Sequence, residues 1–228
     1  MDQTPNRGAV KGSGSIRHSR AAFWIYLFLF LTAWTGWVYF VYPLLRTLGE
    51  ATLAYALVNI AVRLLIWVLP VLLFLKFVDH ATPLEYLKLT RNWSRGLVVA
   101  VVFSALNFLL SVSQYGWPKH SASLTWNNVL STSLLIGIVE EIPFRGFIFQ
   151  KLNETYSLAV AAFLSALLFA LIHIPGWISL HMLRTRNVIF ILVFGLLMVV
   201  IFRLSRSLWG PIVAHSLNDF MASVIFRL

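Results

Sequence analysis

The sequence predicts an all-α fold, a polytopic transmembrane helical bundle of about seven spans. Hydrophobic residues make up 59% of the 228 residues and charged residues only 11%, whereas soluble domains are roughly half apolar and a quarter charged. The mean hydropathy is +0.81. The apolar runs reach the length of a membrane-spanning helix, about 20 residues. Because they are too long for barrel strands, and a lipid-embedded backbone forms only helices or closed barrels, they are predicted to be helices.

Seven apolar segments define the predicted spans, taken in chain order. They are approximately residues 22–44, 53–76, 96–114, 127–150, 157–176, 187–203 and 207–226. The segments contain no visible internal repeat, so residues 22–228 are predicted to form a single transmembrane domain, with its chemistry-bearing motifs in 127–222.

The first 21 residues are polar and basic and contain Gly and Ser, which predicts a disordered cytoplasmic tail. More Lys and Arg residues lie in inner than in outer segments when the N-terminus is placed inside, so the positive-inside rule favours a cytoplasmic N-terminus and an outer C-terminus. We therefore interpret the net charge of +10 as a sign of membrane topology and not of nucleic-acid binding. The predicted location is a bacterial cell membrane, crossed several times, with the lipid bilayer as a partner.

The longest inner connection, residues 78–96, contains the sequence TPLEYLKL. Thr82 before Pro83 is typical of a helix N-cap followed by proline at the first helical position. A short amphipathic helix at the membrane interface is therefore predicted here. The chain contains no cysteine, which excludes disulfides, thiolate metal sites and a cysteine nucleophile.

The fourth predicted span contains three charged residues in the sequence EEIPFR. Glu141 and Arg145 are four residues apart, so on a helix they share a face and can pair. Glu140 points about 100° away around the helix axis and has no such neighbour. Pro143 removes a backbone hydrogen bond and favours a kink beside the acids. The alternative interpretation is a satisfied polar cluster between helices.

Two later spans contain histidines, His173 near the end of the fifth and His215 in the seventh, with Asp219 one turn after His215. A single intramembrane histidine is more often a packed, hydrogen-bonded residue than a ligand. Two histidines and an unpaired glutamate on three spans indicate a functional site, since ionisable groups in a membrane usually face a cavity or one another. Arg63, in the second span, is predicted to pair with a lone carboxylate and has no predicted catalytic role.

This set of residues permits two kinds of chemistry. Glu140, His173 and His215 are ligand types of a catalytic zinc with an open water position. Without a metal, the glutamate can take a proton from water while neutral histidines and a carboxamide hold the developing oxyanion. Both routes hydrolyse an amide, and we leave the choice between zinc and no metal open. A serine nucleophile is disfavoured, because Ser216 beside His215 points elsewhere around the helix.

EEIPFR has the pattern EExxxR, FALIH (169–173) has the pattern FxxxH, and HSLND (215–219) has the pattern HxxxN/D. In this order the three motifs resemble those of the CPBP family of intramembrane proteases, which includes the CAAX prenyl endopeptidases and the Abi bacteriocin-immunity proteins. The resemblance covers residues 127–222. It implies peptide-bond hydrolysis within a helical membrane fold.

By motif position, the resemblance implies that Glu140 activates water with support from Glu141 and Arg145, and that His173 and His215 are metal ligands or oxyanion donors. Asp219 occupies the fourth-motif position, where many members carry asparagine, and Asn218 is one residue away. An ionised aspartate cannot donate a hydrogen bond, so orienting a histidine suits Asp219 better than holding an oxyanion.

The predicted function is therefore intramembrane endopeptidase activity on CAAX-like, lipidated or bacteriocin-type peptides, with a peptide or protein substrate near the membrane as partner. Two alternatives use the same polar cluster: a non-catalytic membrane immunity or scaffold protein, and a proton-coupled carrier. The physiological substrate and the oligomeric state stay open.

Overall fold

A computed structural model of the chain describes residues 13–118 and 124–226, which form eight helices and no strand. In chain order they are α1 (residues 13–46), α2 (Leu53–Phe77), α3 (Pro83–Tyr86), α4 (Trp93–Tyr115), α5 (residues 127–153), α6 (Leu158–Ser179), α7 (Thr185–Ser205) and α8 (residues 209–226). The predicted all-α fold is confirmed. Residues 1–12 of the predicted tail lie outside the described residues, and α1 begins at Ser13, within the remainder of that stretch.

Five of these helices are long and apolar enough to cross a membrane: α1 from Arg20, α2, α4, α6 and α7. They correspond to five of the seven predicted spans. The other two, α5 and α8, carry the charged residues of the motifs, and their crossing of the membrane stays a prediction.

Three of the loops predicted to be inner meet at one end of the bundle. The Leu208 amide donates to the Lys88 carbonyl (3.2 Å), and the Trp209 indole donates to the Leu89 carbonyl (3.0 Å). The Tyr86 hydroxyl donates to Glu154 Oε1 (2.7 Å). Since pairs of long helices separate these loops along the chain, their meeting agrees with helices that cross the bundle in alternation.

The short helix α3 begins where the sequence predicts it. Thr82 has an extended backbone and precedes Pro83 in the first turn. After the helix, Leu87 is fully buried. Gln150 of α5 donates to the Tyr86 carbonyl (2.9 Å), so α3 is fastened to the end of α5.

An aromatic core packs around the part of α5 that follows the two glutamates. Phe144 and Phe147 are fully buried. Phe144 meets Phe169 of α6 edge to face with a centroid separation of 5.0 Å, and Trp34 of α1 stacks on Trp67 of α2 at 3.9 Å. Close-packed rings of this kind leave little freedom to their neighbours, so the charged stretch of α5 lies in a rigid frame.

The helices α5 and α8 approach closely at a glycine. A Cβ on Gly137 would collide with the Ile212 carbonyl oxygen and lie 2.5 Å from Ser216 Oγ. Ser216 instead donates to the Leu134 carbonyl of α5 at 2.8 Å. This approach places the His215 segment directly against the turn of α5 that leads into Glu140.

Pro143 lies in a wide, π-helical stretch of α5, Ile142–Ile148. Proline removes one main-chain donor, and wide turns of this type often occur at functional sites. The structure therefore has a local change of helix geometry beside the acids, where the sequence predicts a kink.

Candidate active site

The pair Glu141–Arg145 lies on one face of α5, as the spacing predicts. Both side chains are fully buried, and Arg145 Nη1 donates to Glu141 Oε1 at 2.8 Å. Arg145 Nη2 donates to the Gly195 carbonyl of α7 (3.1 Å), and the guanidinium lies 4.3 Å from the ring centroid of Phe169 in α6. Arg145 thus connects three helices and compensates the charge of Glu141.

His215 of α8 is held by the same carboxylate. Its Nδ1 lies 2.6 Å from Glu141 Oε1, the oxygen that also accepts from Arg145. A carboxylate in an ion pair accepts hydrogen bonds, so Nδ1 carries a proton and donates. The ring of Phe194 packs edge-on against the imidazole at 5.0 Å. Glu141 and Arg145 therefore orient His215 directly, whereas the resemblance implies that they support Glu140.

The Nε2 atom of His215 faces two other carboxylates. It lies 3.6 Å from Asp219 Oδ2 and 3.9 Å from Glu140 Oε2. The structure thus brings five of the six predicted site residues into one set of contacts, which runs from Arg145 through Glu141 to His215 and from there to both Glu140 and Asp219.

Glu140 occupies a different environment from its neighbour. The residue is only 4% exposed. Its Oε1 lies 3.9 Å from Arg63 Nη2 of α2, and its Oε2 is the atom that faces His215. Both separations exceed hydrogen-bond length. The carboxylate is therefore near two partners but keeps its lone pairs for another donor.

His173 ends the first part of α6 and lies outside the set of contacts described above. Its Nδ1 lies 2.8 Å from the Phe169 carbonyl. Since a carbonyl only accepts, Nδ1 carries a proton, and in the neutral form of the ring Nε2 is an acceptor. Within the residues that the structure describes, His173 forms no ion pair with the acids or with His215.

Asp219 and Asn218, both on α8, form a hydrogen-bonded series that continues to α4. Asn107 of α4 donates to Asn218 Oδ1 (2.9 Å), and Asn218 Nδ2 donates to Asp219 Oδ1 (3.0 Å). This leaves Asp219 Oδ2 turned to His215. The arrangement suits the histidine-orienting alternative for Asp219 and gives Asn218 the part of its hydrogen-bond donor.

A cavity of about 1000 Å³ connects these groups. Aromatic and aliphatic side chains from α1, α6 and α7 form much of its wall. Its polar lining includes Arg63, Asn107, Glu140, His173, His215, Asn218 and Asp219. Glu141 and Arg145 do not line it. The cavity is large enough for a peptide segment, since ligand sites typically measure about 300–1000 Å³.

Two polar residues of the site come from the N-terminal half, outside the motifs. The sequence prediction gave Arg63 a lone carboxylate as its partner, and this carboxylate is Glu140. It did not identify Asn107. The available signal was a polar side chain within an otherwise apolar span, which is costly in lipid and usually faces a cavity.

The predicted metal ligands Glu140, His173 and His215 all line the cavity. However, no group of three or more His, Asp or Glu side chains within residues 13–118 and 124–226 is arranged to hold a metal ion. Arg63 also places a positive charge beside Glu140. The residues as arranged do not fit a bound zinc, and zinc stays a prediction.

Comparison with known protein families gives a match for one segment of the chain. Residues 120–221 match the family model described as Rce1-like, type II CAAX prenyl endopeptidase. No curated protein sequence and no solved structure matched the chain. The matched segment, less than half of the chain, contains all three motifs, from Glu140 to Asp219, and is similar to the CPBP family of CAAX proteases. Together with the five long apolar helices, this similarity supports an integral membrane protein of the CAAX protease type.

Proposed function

We propose that the protein is an intramembrane endopeptidase in which Glu140 activates the water that attacks a peptide bond. The observation that carries this proposal is the shared cavity: Glu140, His173 and His215, from three helices, all line it. Glu140 is buried beside a cation and a histidine without a hydrogen bond to either. A carboxylate in that position is available to accept a proton from water.

The hydrogen bonds of the two histidines support a different proposed part for each. In its neutral form, His173 donates from Nδ1 to the Phe169 carbonyl and has a lone pair on Nε2. This lone pair can accept a hydrogen bond from the second O–H group of the attacking water. His215 can donate from Nε2 to the carbonyl oxygen only in its imidazolium form, since its Nδ1 already donates to Glu141. This replaces the predicted pair of neutral histidine donors, and the carboxylates of Glu141 and Asp219 stabilise the imidazolium charge.

The proposed step is a water addition. The water oxygen bonds to the carbonyl carbon while one of its protons moves to Glu140. The π electron pair of the C=O bond moves to the carbonyl oxygen, and this oxygen accepts a hydrogen bond from His215 Nε2. The C–N bond then breaks, and the proton on Glu140 passes to the leaving amine. No metal takes part in this step.

The proposed substrates are lipidated or amphipathic peptides. The family description names CAAX prenyl peptides, and the apolar wall of the cavity suits a peptide with apolar side chains. We therefore propose prenylated CAAX peptides as the first class to assay, followed by unprenylated amphipathic peptides of bacteriocin type.

The test is the Glu140→Gln variant in proteoliposomes that contain a farnesylated CAAX peptide. We expect cleavage to fall by at least about 100-fold, because general-base catalysis contributes roughly 10²–10⁴. The matched control is Glu85→Gln, which removes an exposed carboxylate outside the cavity and should leave the rate unchanged. Cleavage by Glu140→Gln at the wild-type rate would contradict the proposal and would return attention to the scaffold and carrier alternatives.

A further inference from the structure

Arg63 lies deep within α2, about 15 Å along the helix from its nearer end. It precedes the segment that matches the family model, residues 120–221. A charge at such depth in a membrane costs a few kcal/mol and generally has a functional reason. Its side chain is only 14% exposed and lines the cavity.

The guanidinium is held in place from three sides. It lies 4.9 Å from the ring centroid of Trp67 and 6.0 Å from that of Trp37, within the range of cation–π attraction. Its Nη1 donates to the Ser131 carbonyl of α5 at 3.4 Å. These contacts aim the remaining amino group, Nη2, at Glu140.

Each of the two neighbouring glutamates has an arginine beside it, but the two contacts differ in length. Arg145 forms a direct 2.8 Å hydrogen bond to Glu141 Oε1, the oxygen that is also in contact with His215. Arg63 stays 3.9 Å from Glu140 Oε1. At that distance in a poorly solvated site the attraction between the charges is strong, yet the carboxylate lone pairs remain free.

We infer that Arg63 is a positioning residue for Glu140: it holds Oε1 on the α2 side of the cavity, so that Oε2 is turned towards His215. This inference rests on the proposed function of Glu140 as the base. It assigns a part in the reaction to a residue that no motif includes, and it explains why a cation is kept at this depth of α2.

The kinetic test compares Arg63→Met with Arg63→Lys in the proteoliposome assay. Misplacing a catalytic group by about 1 Å can cost roughly 100-fold, so Arg63→Met should lower kcat by roughly 10- to 100-fold with little change in KM. Arg63→Lys, which keeps the positive charge, should recover part of that loss. Arg46→Met is the control, since Arg46 is 55% exposed and pairs with Glu50 away from the cavity. A wild-type kcat for Arg63→Met would overturn the inference.

A double-mutant cycle on thermal stability tests the contact without using activity. Arg63→Met leaves the Glu140 carboxylate without its cation and should lower Tm. Adding Glu140→Gln removes that charge, so the double variant should lose less Tm than the sum of the single losses. Additive losses would show that Arg63 only supports Trp67 and Ser131, and would overturn the inference. If Glu140→Gln alone cleaved normally, the proposed function would fail while the cycle still reported on this contact.

Discussion

Two adjacent glutamates show how neighbouring residues of one type acquire different parts. Glu141 is fully buried, and one of its oxygens accepts from both Arg145 and His215. Glu140 lies at the cavity, 3.9 Å from both Arg63 and His215. The 100° turn between successive helical residues produces this division. It gives the site one carboxylate held by hydrogen bonds and one that is within hydrogen-bond distance of neither Arg63 nor His215.

The buried pair leads to a stability prediction. Arg145→Met leaves the Glu141 charge buried beside His215 without its arginine, and breaking a buried pair by removing one partner typically costs about 3–5 kcal/mol. We expect a loss of that size in unfolding measured in detergent micelles. Arg46→Met breaks an exposed pair with Glu50 and should cost at most about 1 kcal/mol. Equal stability of both variants would show that Arg145 is not a structural support.

The proposal that Glu140 activates water without a metal gives a second prediction for individual residues. Purified protein should contain well under one zinc per chain by elemental analysis, and a zinc chelator should leave peptide cleavage unchanged. The reason is the arrangement of the acids and histidines, together with the positive charge of Arg63 beside Glu140. One zinc per chain, with activity lost on chelation and restored by zinc, would contradict it.

The sequence determines some of these contacts but not all. The spacing of four residues is sufficient to predict the pair Glu141–Arg145. The bond from His215 to Glu141 joins residues 74 positions apart, so it depends on how α8 packs on α5. The aim of Arg63 at Glu140 likewise depends on the packing of α2 against α5. Local periodicity carries no information on either.

At the scale of helices, the geometry of the site depends on the approach of α5 and α8. Gly137 lies where the two helices leave no room for a Cβ, and the groups that a Cβ would meet first include the backbone of Ile212, which cannot rotate away. His215 follows Ile212 within one turn of α8, and Glu140 follows Gly137 within one turn of α5. The separation of these helices therefore sets the distances between His215 and the glutamates.

Gly137→Ala tests this dependence. The added methyl should push α8 away from α5, lower Tm and reduce cleavage by at least about 10-fold, because small displacements of catalytic groups are costly. Gly36→Ala in α1 is the matched control, as a Cβ there meets nothing within 4 Å and Gly36 does not line the cavity. If Gly137→Ala retains both the wild-type Tm and the wild-type cleavage rate, the claim that the site depends on the separation of α5 and α8 is wrong.

At the scale of the whole molecule, hydropathy predicts the apolar spans better than it predicts the two helices that carry the charged motifs. Five predicted spans correspond to helices that are long and apolar enough to cross a membrane. In α5 and α8 the residues that form the site lower the hydropathy, so the same property that marks them as functional weakens the span signal. The cavity could not be predicted, since it arises from the lateral packing of helices distant in sequence.

The orientation of the bundle can be measured on a favourable background, since the chain has no cysteine. With a cytoplasmic N-terminus, Thr90→Cys in the loop before α4 should face inward and Met182→Cys in the loop before α7 should face outward. Both residues are exposed. A membrane-impermeant maleimide should label Met182→Cys in intact cells and Thr90→Cys only in opened membranes. The reverse pattern would invert the orientation, and equal labelling would contradict alternate crossing between these two loops.

The most direct test of water activation by Glu140 is peptide cleavage in ¹⁸O-labelled water, with wild type and Glu140→Gln compared in the same proteoliposomes. The wild-type product should carry one ¹⁸O in its new carboxyl group, and the variant should form that product at least about 100-fold more slowly. Formation of the labelled product by Glu140→Gln at the wild-type rate would contradict the account.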